Sequence, residues 1–229
     1  MKKLLMYLLL ITVITTSSAY SMGLFNTSKT YLQNFPCSSM VQDTVKQEMQ
    51  HAEETAYGRM FLKNFVIKPQ LNRLDGAAII NKAIATNNLN LLFVPHKCAC
   101  VLDNKVSLVA ARVSVVDEPF DLPQVQQLCS LIKKTIFFDT HGGNIKQTSD
   151  GRVAIIDTEM RGFGKKKEYR LQGLYVMKIN LNMEPEARNY LKEEIQNETI
   201  RNDLRELCAE YLKKNVDKFV RTHTFTQQL

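Results

Sequence analysis

Long apolar runs are scarce in this sequence: residues 4–14 form one, and the remaining chain contains no second. This scarcity excludes a protein that crosses a membrane several times, because each helical span needs about 20 consecutive apolar residues. The chain has no Trp and no internal repeat, and the missing repeat excludes solenoids and propellers. At 229 residues, we expect one domain that is large enough for a substantial hydrophobic core.

A strong charge bias is also missing. The formal net charge of +7 includes Lys2 and Lys3, and residues 165–167 form a short basic run. The other basic residues are scattered, which argues against a nucleic-acid-binding protein. The modest positive balance is compatible with acidic or phosphate-bearing ligands, but an ordinary solvated surface is the interpretation we prefer.

Residues 1–21 have the pattern of a secretory signal peptide. Lys2 and Lys3 form its basic start, residues 4–14 form its apolar centre, and small residues provide cleavage positions after Ala19 or Ser21. The alternative is an uncleaved anchor, although the apolar run is short for a membrane span. We therefore expect an exported protein, periplasmic or secreted, with no stable membrane span after cleavage.

The sequence beyond this segment contains an odd number of cysteines. They are Cys37, Cys98, Cys100, Cys129 and Cys208. Export would place them in an oxidising compartment, where an odd number leaves at least one thiol free or shared between molecules. His96, Cys98 and Cys100 alternate along the chain and would share one face of a strand. They would act there either as ligands of a soft metal or as small buried side chains.

Helical and extended patterns alternate before residue 117. After a loosely ordered lead-in from Gly23 to about Met40, we predict a helix over about 41–57 and a strand at 65–68. A helix over about 74–84 follows. Residues 89–102 and 105–113 then predict two strands around an Asp-Asn turn.

The pattern after residue 117 is mainly helical. Residues 117–121 break the sheet as a linker, and Asp121 is a good N-cap for a helix that begins with Pro in its first turn. Three further helical stretches are predicted at about 168–181, 184–197 and 199–220.

Residues 137–159 carry the most informative pattern. A polar turn, Thr-Ser-Asp-Gly, places Gly151 where a positive φ is favoured, and an apolar β-branched strand follows and ends at Asp157. A hairpin of this kind would bring Asp139, Asn144 and Asp157 to one end of a short sheet. Two carboxylates and an amide oxygen are hard ligands that suit Mg²⁺ and a phosphate-bearing nucleotide.

The order D-x-H-x-x-N, a turn, and an apolar strand ending in Asp resembles the catalytic loop and metal-binding strand of protein-kinase-like folds, closest to atypical and small-molecule kinases. The resemblance implies that Asp139 is the catalytic Asp that orients the acceptor hydroxyl. It also implies that Asn144 and Asp157 hold Mg²⁺ and that Lys68, or less well Lys63, meets the phosphates of ATP. ATP and Mg²⁺ are therefore the implied cofactors.

The resemblance also implies an α+β fold with two lobes. Residues 22–58 would form a lead-in and helix, residues 59–116 a small lobe with a sheet and one main helix, and residues 117–229 a short, mostly helical large lobe. The nucleotide would bind between the lobes.

Several features depart from the kinase pattern. No G-x-G-x-x-G loop precedes Lys68, and the helix at 74–84 contains no Glu to pair with that Lys. Phe137 stands where kinases have His, and Thr158-Glu159 replaces Phe-Gly after the metal Asp. The nucleotide clamp is therefore less complete than the metal site, and ATP is scarce outside the cytoplasm.

The sequence leaves more than one function open. The first is a phosphotransferase that uses Mg·ATP and a hydroxyl-bearing acceptor. The second is an exported pseudokinase that binds a protein or small ligand without catalysis. The third, a metal-dependent phosphoester hydrolase using Asp139, His141 and Asp157, would need more metal ligands than the sequence offers.

Overall fold

The computed structural model describes residues 28–50, 52, 55, 58–164 and 168–198, and this part of the chain forms an α+β fold. The described helices are α1 (28–34), α2 (Ser39–Met49), α3 (Arg73–Thr86), α4 (Leu122–Thr135), α5 (Glu168–Asn180) and α6 (Pro185–Asn197). The described strands are β1 (Met60–Phe61), β2 (Phe65–Lys68), β3 (Leu92–Phe93), β4 (Lys97–Leu102), β5 (Lys105–Ala111), β6 (Val115–Val116), β7 (Ile145–Thr148) and β8 (Val153–Ile155). The predicted α+β class is confirmed.

The chain divides into two compact units. Among the described residues, the first unit contains those from 28 to 74 and from 96 to 112, and the second contains those from 75 to 95 and from 113 to 198. Most of α3 therefore belongs to the second unit, while its first two residues belong to the first. Of the predicted site residues, Lys68 lies in the first unit and the others lie in the second.

Two sequence predictions fall outside the described residues. They are the signal peptide at 1–21 and the last predicted helix at 199–220, which includes Cys208. Among the described helices, none is long and apolar enough to cross a membrane.

The first unit is built on an antiparallel sheet with the strand order β1-β2-β5-β4. The predicted strand at 65–68 is confirmed as β2. It ends before Pro69, because Pro has no N–H to donate to the next hydrogen bond of the sheet. The predicted Asp-Asn turn joins β4 to β5. Asp103 and Asn104 both adopt positive φ, 46° and 60°, the conformation that a two-residue hairpin turn requires.

The two faces of this sheet carry separate apolar clusters. The first cluster includes Ile67, Cys98, Cys100 and Val109, packed with Val45 from α2. The second cluster consists of Leu74, Ala99, Leu108 and Ala110, with partly buried side chains from α1 packed against it. The alternation predicted for Cys98 and Cys100 is therefore confirmed, since both side chains lie on one face.

The prediction of a loosely ordered lead-in is wrong for residues 28–40. Residues 28–34 form α1, and Tyr31, Leu32 and Phe35 pack against the second cluster. The chain then runs parallel to β4, where the Ala99 N–H donates to the Phe35 carbonyl at 2.6 Å. A disulfide joins Cys37 to Cys98 across this contact. These long-range contacts order a segment whose polar composition, taken alone, indicates a loop.

The second unit contains a mixed sheet with the strand order β3-β8-β7-β6. β3 pairs in parallel with β8, whereas the other pairs are antiparallel. Residues 89–102 therefore do not form one strand as predicted: Pro95 interrupts them, and β3 and β4 belong to different sheets. Val115–Val116 forms the edge strand β6 of this sheet, just before the predicted linker at 117–121.

The helices α4, α5 and α6 pack together beside this sheet around a buried apolar core. The predicted N-cap of α4 is confirmed, because the Asp121 carboxylate accepts from the Gln124 N–H while the Gln124 side chain accepts from the Asp121 N–H. Val125, Leu128 and Ile132 form the predicted buried stripe. α4 ends at Thr135, so the candidate site begins directly after this helix, at residue 137.

Candidate functional site

A short antiparallel contact fixes the start of the candidate site. The Phe138 N–H donates to the Gly162 carbonyl and the Gly164 N–H donates to the Ile136 carbonyl, both at 2.9 Å. Phe137 is completely buried, and its ring lies 5.2 Å from the ring of Phe163. Phe137 thus anchors the loop to the core.

Ile136 adopts a left-handed conformation with φ of 58° at the end of α4. This is unfavourable for a β-branched residue, and such strain persists only where the surrounding structure enforces it. The antiparallel contact with Gly164 supplies that enforcement. The turn at Ile136 redirects the chain from the helix into the loop that carries Asp139.

The loop at 139–144 is held by its own hydrogen bonds. The His141 carbonyl accepts from the N–H groups of Asn144 and Ile145, and the Gly143 N–H donates to His141 Nδ1 at 3.0 Å. Thr140 is buried, and its hydroxyl donates to the Gly173 carbonyl of α5 at 2.6 Å. The loop therefore has a defined conformation that is attached to α5.

A hydrogen bond links two of the predicted site residues. The Asn144 side-chain Nδ2 donates to the Asp139 carbonyl at 3.2 Å, which leaves the amide oxygen of Asn144 as the atom able to accept or to ligate. His141 Nε2 lies 3.4 Å from Asp139 Oδ1. The Asp139 side chain remains 30% exposed, so a ligand can reach the carboxylate.

The β7–β8 hairpin brings Asn144 next to Ile156, the residue before Asp157, as predicted. Ile145 pairs with Ile155, and the Ile156 N–H donates to the Asn144 carbonyl at 2.8 Å. Asp157 follows directly and is partly buried, and its Oδ1 accepts from the Glu159 N–H at 3.2 Å. Asn144 and Asp157 therefore lie at the same end of the hairpin, and Asp139 is hydrogen-bonded to Asn144.

The turn at the other end of the hairpin has the predicted chemistry. Gly151 has a φ of 76°, which the sequence pattern required. Hydrogen bonds from the side chains of Thr148 and Arg152 lower the pKa of Asp150 to about 2. Asp150 is thus ionised at neutral pH and stabilises this turn through its hydrogen bonds with Thr148 and Arg152.

Two glycines allow other segments of the chain to pack in close contact with the residues of the candidate site. A Cβ on Gly162 would lie 2.9 Å from the Cβ of Asp139, so Gly162 packs directly on the candidate acid. A Cβ on Gly76 of α3 would lie 1.9 Å from the carbonyl oxygen of Thr158. The sequence pattern identified neither glycine as a site residue, because both contacts join segments distant in the chain.

We expect the Gly76→Ala variant to be destabilised by about 1–3 kcal/mol, because the added methyl group displaces the Thr158 backbone next to Asp157. Ala78→Gly is the matched control, since Ala78 is exposed on the same helix. That control should cost about 1 kcal/mol through helix propensity alone. Chemical denaturation of both variants checks this: if Gly76→Ala stabilises the protein, the close approach is contradicted.

The metal chemistry of the site is limited to a few hard ligands. Within the described residues, no group of three or more His, Cys, Asp or Glu side chains is arranged to hold a metal ion. The predicted ligands, the Asp157 carboxylate and the Asn144 amide oxygen, form a smaller set, and Asn144 is also hydrogen-bonded to the Asp139 backbone carbonyl. Such a set suits a cation that takes its remaining ligands from water and phosphate, as Mg²⁺ does.

The alternative soft-metal set is not supported. The sulfur of Cys98 is bonded to Cys37, so it is no longer a thiolate ligand, and His96 is exposed. Cys100 is a buried thiol in the same apolar cluster, and burial raises its pKa. Cys98 therefore forms a covalent cross-link, and Cys100 packs in the apolar cluster.

Lys68 occupies the end of β2 in the first unit and is only 7% exposed. Lys63 lies in the turn between β1 and β2 and is exposed, which makes Lys68 the better candidate of the two for a defined contact. A comparison with protein-family models and with curated protein sequences gives no match for this chain.

Proposed function

We propose that this chain is an exported, kinase-like protein that binds Mg·ATP and transfers a phosphoryl group to a hydroxyl-bearing acceptor. The observation that supports this most is the hydrogen bond from the Ile156 N–H to the Asn144 carbonyl, which places Asn144 next to the residue before Asp157. The Asn144 side chain also donates to the Asp139 carbonyl. Each of the three residues has the chemistry its role requires.

Asp139 is the residue that we assign to the acceptor. Its carboxylate is partly exposed and lies beside His141, so it can accept a hydrogen bond from an incoming hydroxyl. A positioned carboxylate of this kind aligns the hydroxyl for attack and takes its proton as the new bond forms. The hydrogen bonds of the 139–144 loop keep the carboxylate in place without a large rearrangement.

Asn144 and Asp157 are the residues that would hold Mg²⁺. When bound, the ion would neutralise phosphate charge, which is a large part of catalysis in phosphoryl transfer. The amide oxygen of Asn144 is oriented by the Nδ2 hydrogen bond to Asp139, and Asp157 is fixed by the Glu159 N–H.

Lys68 is assigned to the phosphates of the nucleotide. Its ammonium group is a compact charge at the end of a strand, and it is nearly buried, so its interaction with phosphate would be weakly screened by solvent. The export part of the proposal is supported by the Cys37–Cys98 disulfide, since such bonds are typical of oxidising compartments.

A second candidate function is an exported pseudokinase that uses the same fold to bind a protein or small ligand. The observation that favours it is the turn before Lys68, where β1 and β2 are joined by Leu62, Lys63 and Asn64 without any glycine. α3 likewise offers Asp75 but no Glu. Both features lower the expected affinity for a nucleotide.

Thermal unfolding with ATP, in the presence and absence of Mg²⁺, separates the two functions. With Mg·ATP at about 100 times its dissociation constant, mass action should stabilise the protein by about 2.7 kcal/mol, or about 5–10 °C. Omission of Mg²⁺ should remove most of that shift. An unchanged melting temperature with Mg·ATP would favour the pseudokinase.

A further inference from the structure

His141 lies directly beside the carboxylate that we assign to the acceptor. Its Nε2 atom lies 3.4 Å from Asp139 Oδ1, and its side chain is 13% exposed, compared with 30% for Asp139. The phosphotransferase roles proposed for Asp139, Asn144 and Asp157 give this imidazole no task. A ring this close to a candidate catalytic carboxylate nevertheless affects how that carboxylate is oriented.

The second ring nitrogen determines which tautomer His141 adopts. The Gly143 N–H donates to His141 Nδ1 at 3.0 Å, so Nδ1 acts as an acceptor and carries no proton. In a neutral imidazole the single ring proton then resides on Nε2. The group that lies beside Asp139 Oδ1 is therefore an N–H donor.

The loop at 139–144 holds both partners of this contact. The His141 carbonyl accepts from the N–H groups of Asn144 and Ile145, which fixes the turn that carries the imidazole. The Asn144 side chain donates to the Asp139 carbonyl at 3.2 Å, which joins the backbone of the carboxylate to the same turn. The imidazole and the carboxylate are therefore kept next to each other by the loop itself.

Gly162 restricts the Asp139 side chain from another direction. A Cβ at position 162 would lie 2.9 Å from the Cβ of Asp139 and 3.5 Å from its Oδ2 atom. The backbone of Gly162 therefore packs against the base of the side chain, and glycine adds no atoms beside Oδ2. The two carboxylate oxygens thus differ, because Oδ1 lies beside a donor while this neighbour leaves Oδ2 uncovered.

The contact between the imidazole and the carboxylate has the chemistry of a charge-assisted hydrogen bond. Such bonds are roughly twice as strong as hydrogen bonds between neutral groups. The separation of 3.4 Å is longer than the ideal distance, and hydrogen bonds to catalytic groups often shorten when substrate binds. A hydroxyl that approaches Oδ2 would therefore meet a carboxylate whose other oxygen is already engaged.

We propose that His141 is a positioning residue, which donates from Nε2 to Asp139 Oδ1 and so directs Oδ2 toward the acceptor hydroxyl. This rests on the proposed function for the role of the acceptor, whereas the tautomer and the contact are properties of the loop alone. The alternative is a purely local role, in which His141 only accepts from the Gly143 N–H and stabilises the turn.

Nitrogen NMR of the full chain with isotope-labelled histidine tests the tautomer independently of any activity. At about pH 8, where an ordinary imidazole is neutral, we expect His141 to carry a proton on Nε2 and none on Nδ1. The signals are assigned by their loss in His141→Asn. The Nε2 signal should shift in Asp139→Asn, because an amide replaces the carboxylate beside it, whereas the signals of the exposed His96 should not. A proton on Nδ1, or an Nε2 signal that ignores Asp139→Asn, would overturn the proposal.

Two substitutions of His141 separate the positioning role from the local role. In His141→Asn the amide oxygen can replace Nδ1 as the acceptor for the Gly143 N–H, but no donor reaches Asp139. In His141→Gln the longer side chain places an amide N–H near the position of Nε2. We expect His141→Asn to lower kcat for phosphoryl transfer by about 10-fold with the Kd of Mg·ATP unchanged, because one charge-assisted hydrogen bond is lost. His141→Gln should recover most of that loss.

His96→Asn is the matched control, because His96 is exposed and lies in another part of the chain, so kcat should stay unchanged. The reverse order, with the rate kept in His141→Asn and lost in His141→Gln, would show the purely local role and overturn the proposal. A wild type that shows the expected NMR result but transfers no phosphate would contradict the proposed function and support the orientation of Asp139 by His141. Phosphate transfer by a wild type with the opposite tautomer would support the proposed function and overturn this role of His141.

Discussion

Phosphoryl transfer by the Asp139→Asn variant should fall by about 10²–10⁴-fold while Mg·ATP binding stays nearly unchanged. The reason is that Asp139 serves the acceptor hydroxyl, and an amide in its place neither takes the proton nor aligns the hydroxyl equally well. The substitution preserves side-chain shape, and the hydrogen bond from Asn144 goes to the backbone carbonyl of Asp139, so the loop should keep its conformation.

Formation of ADP from Mg·ATP, with water and with a panel of hydroxyl compounds as acceptors, measures this effect. Asp117→Asn is the matched control, because Asp117 is an exposed acid outside the hairpin and should leave the rate unchanged. If Asp139→Asn transferred phosphate at the wild-type rate, Asp139 would not be the acceptor residue. If it lost nucleotide binding as well, the division of roles between Asp139 and Asp157 would be wrong.

Loss of the Cys37–Cys98 disulfide should lower the stability of the folded protein by about 4 kcal/mol. The two cysteines are separated by 61 residues, and freeing a loop of that length restores much conformational entropy to the unfolded chain. The bond also holds the segment before α2 along β4. The melting temperature of a Cys37→Ala/Cys98→Ala variant should therefore fall by about 8–16 °C.

Reduction of the wild type should produce a similar decrease, and the double variant should be insensitive to reductant. Cys100→Ala is a useful comparison, because its thiol is buried in the same cluster but forms no disulfide. That variant should retain the sensitivity to reductant. A wild-type melting temperature that does not respond to reductant would contradict this account of the first unit.

The sequence predicted best those features that local chemistry determines. The Asp121 capping box, the Gly151 turn and the Asp103-Asn104 turn each depend on a few adjacent residues, and the structure contains all three. The hairpin at 145–155 follows from the same turn chemistry combined with an apolar strand. The relation between Asn144 and Asp157 was therefore predictable from the pattern alone.

Features that depend on distant parts of the chain were not predictable in this way. The parallel pairing of β3 with β8, the packing of α1 and the partner of Cys37 all join segments far apart in sequence. Local pattern carries no information about such register, because many pairings satisfy the same alternation of apolar residues. The close packing of Gly76 was missed for this reason, since it depends on the Thr158 backbone that a distant segment places beside it.

Isothermal titration of ATP, with and without Mg²⁺, into the wild type and the Asp157→Asn variant tests the central claim most directly. We expect the wild type to bind ATP in a Mg²⁺-dependent manner and Asp157→Asn to lose that dependence together with most of the affinity. The variant should remain folded without ligand, because Asn nearly keeps the shape of the Asp157 side chain and can still accept from the Glu159 N–H. Tight binding of ATP that ignores both Mg²⁺ and the Asp157→Asn substitution would contradict the assignment of Asp157 as a metal ligand.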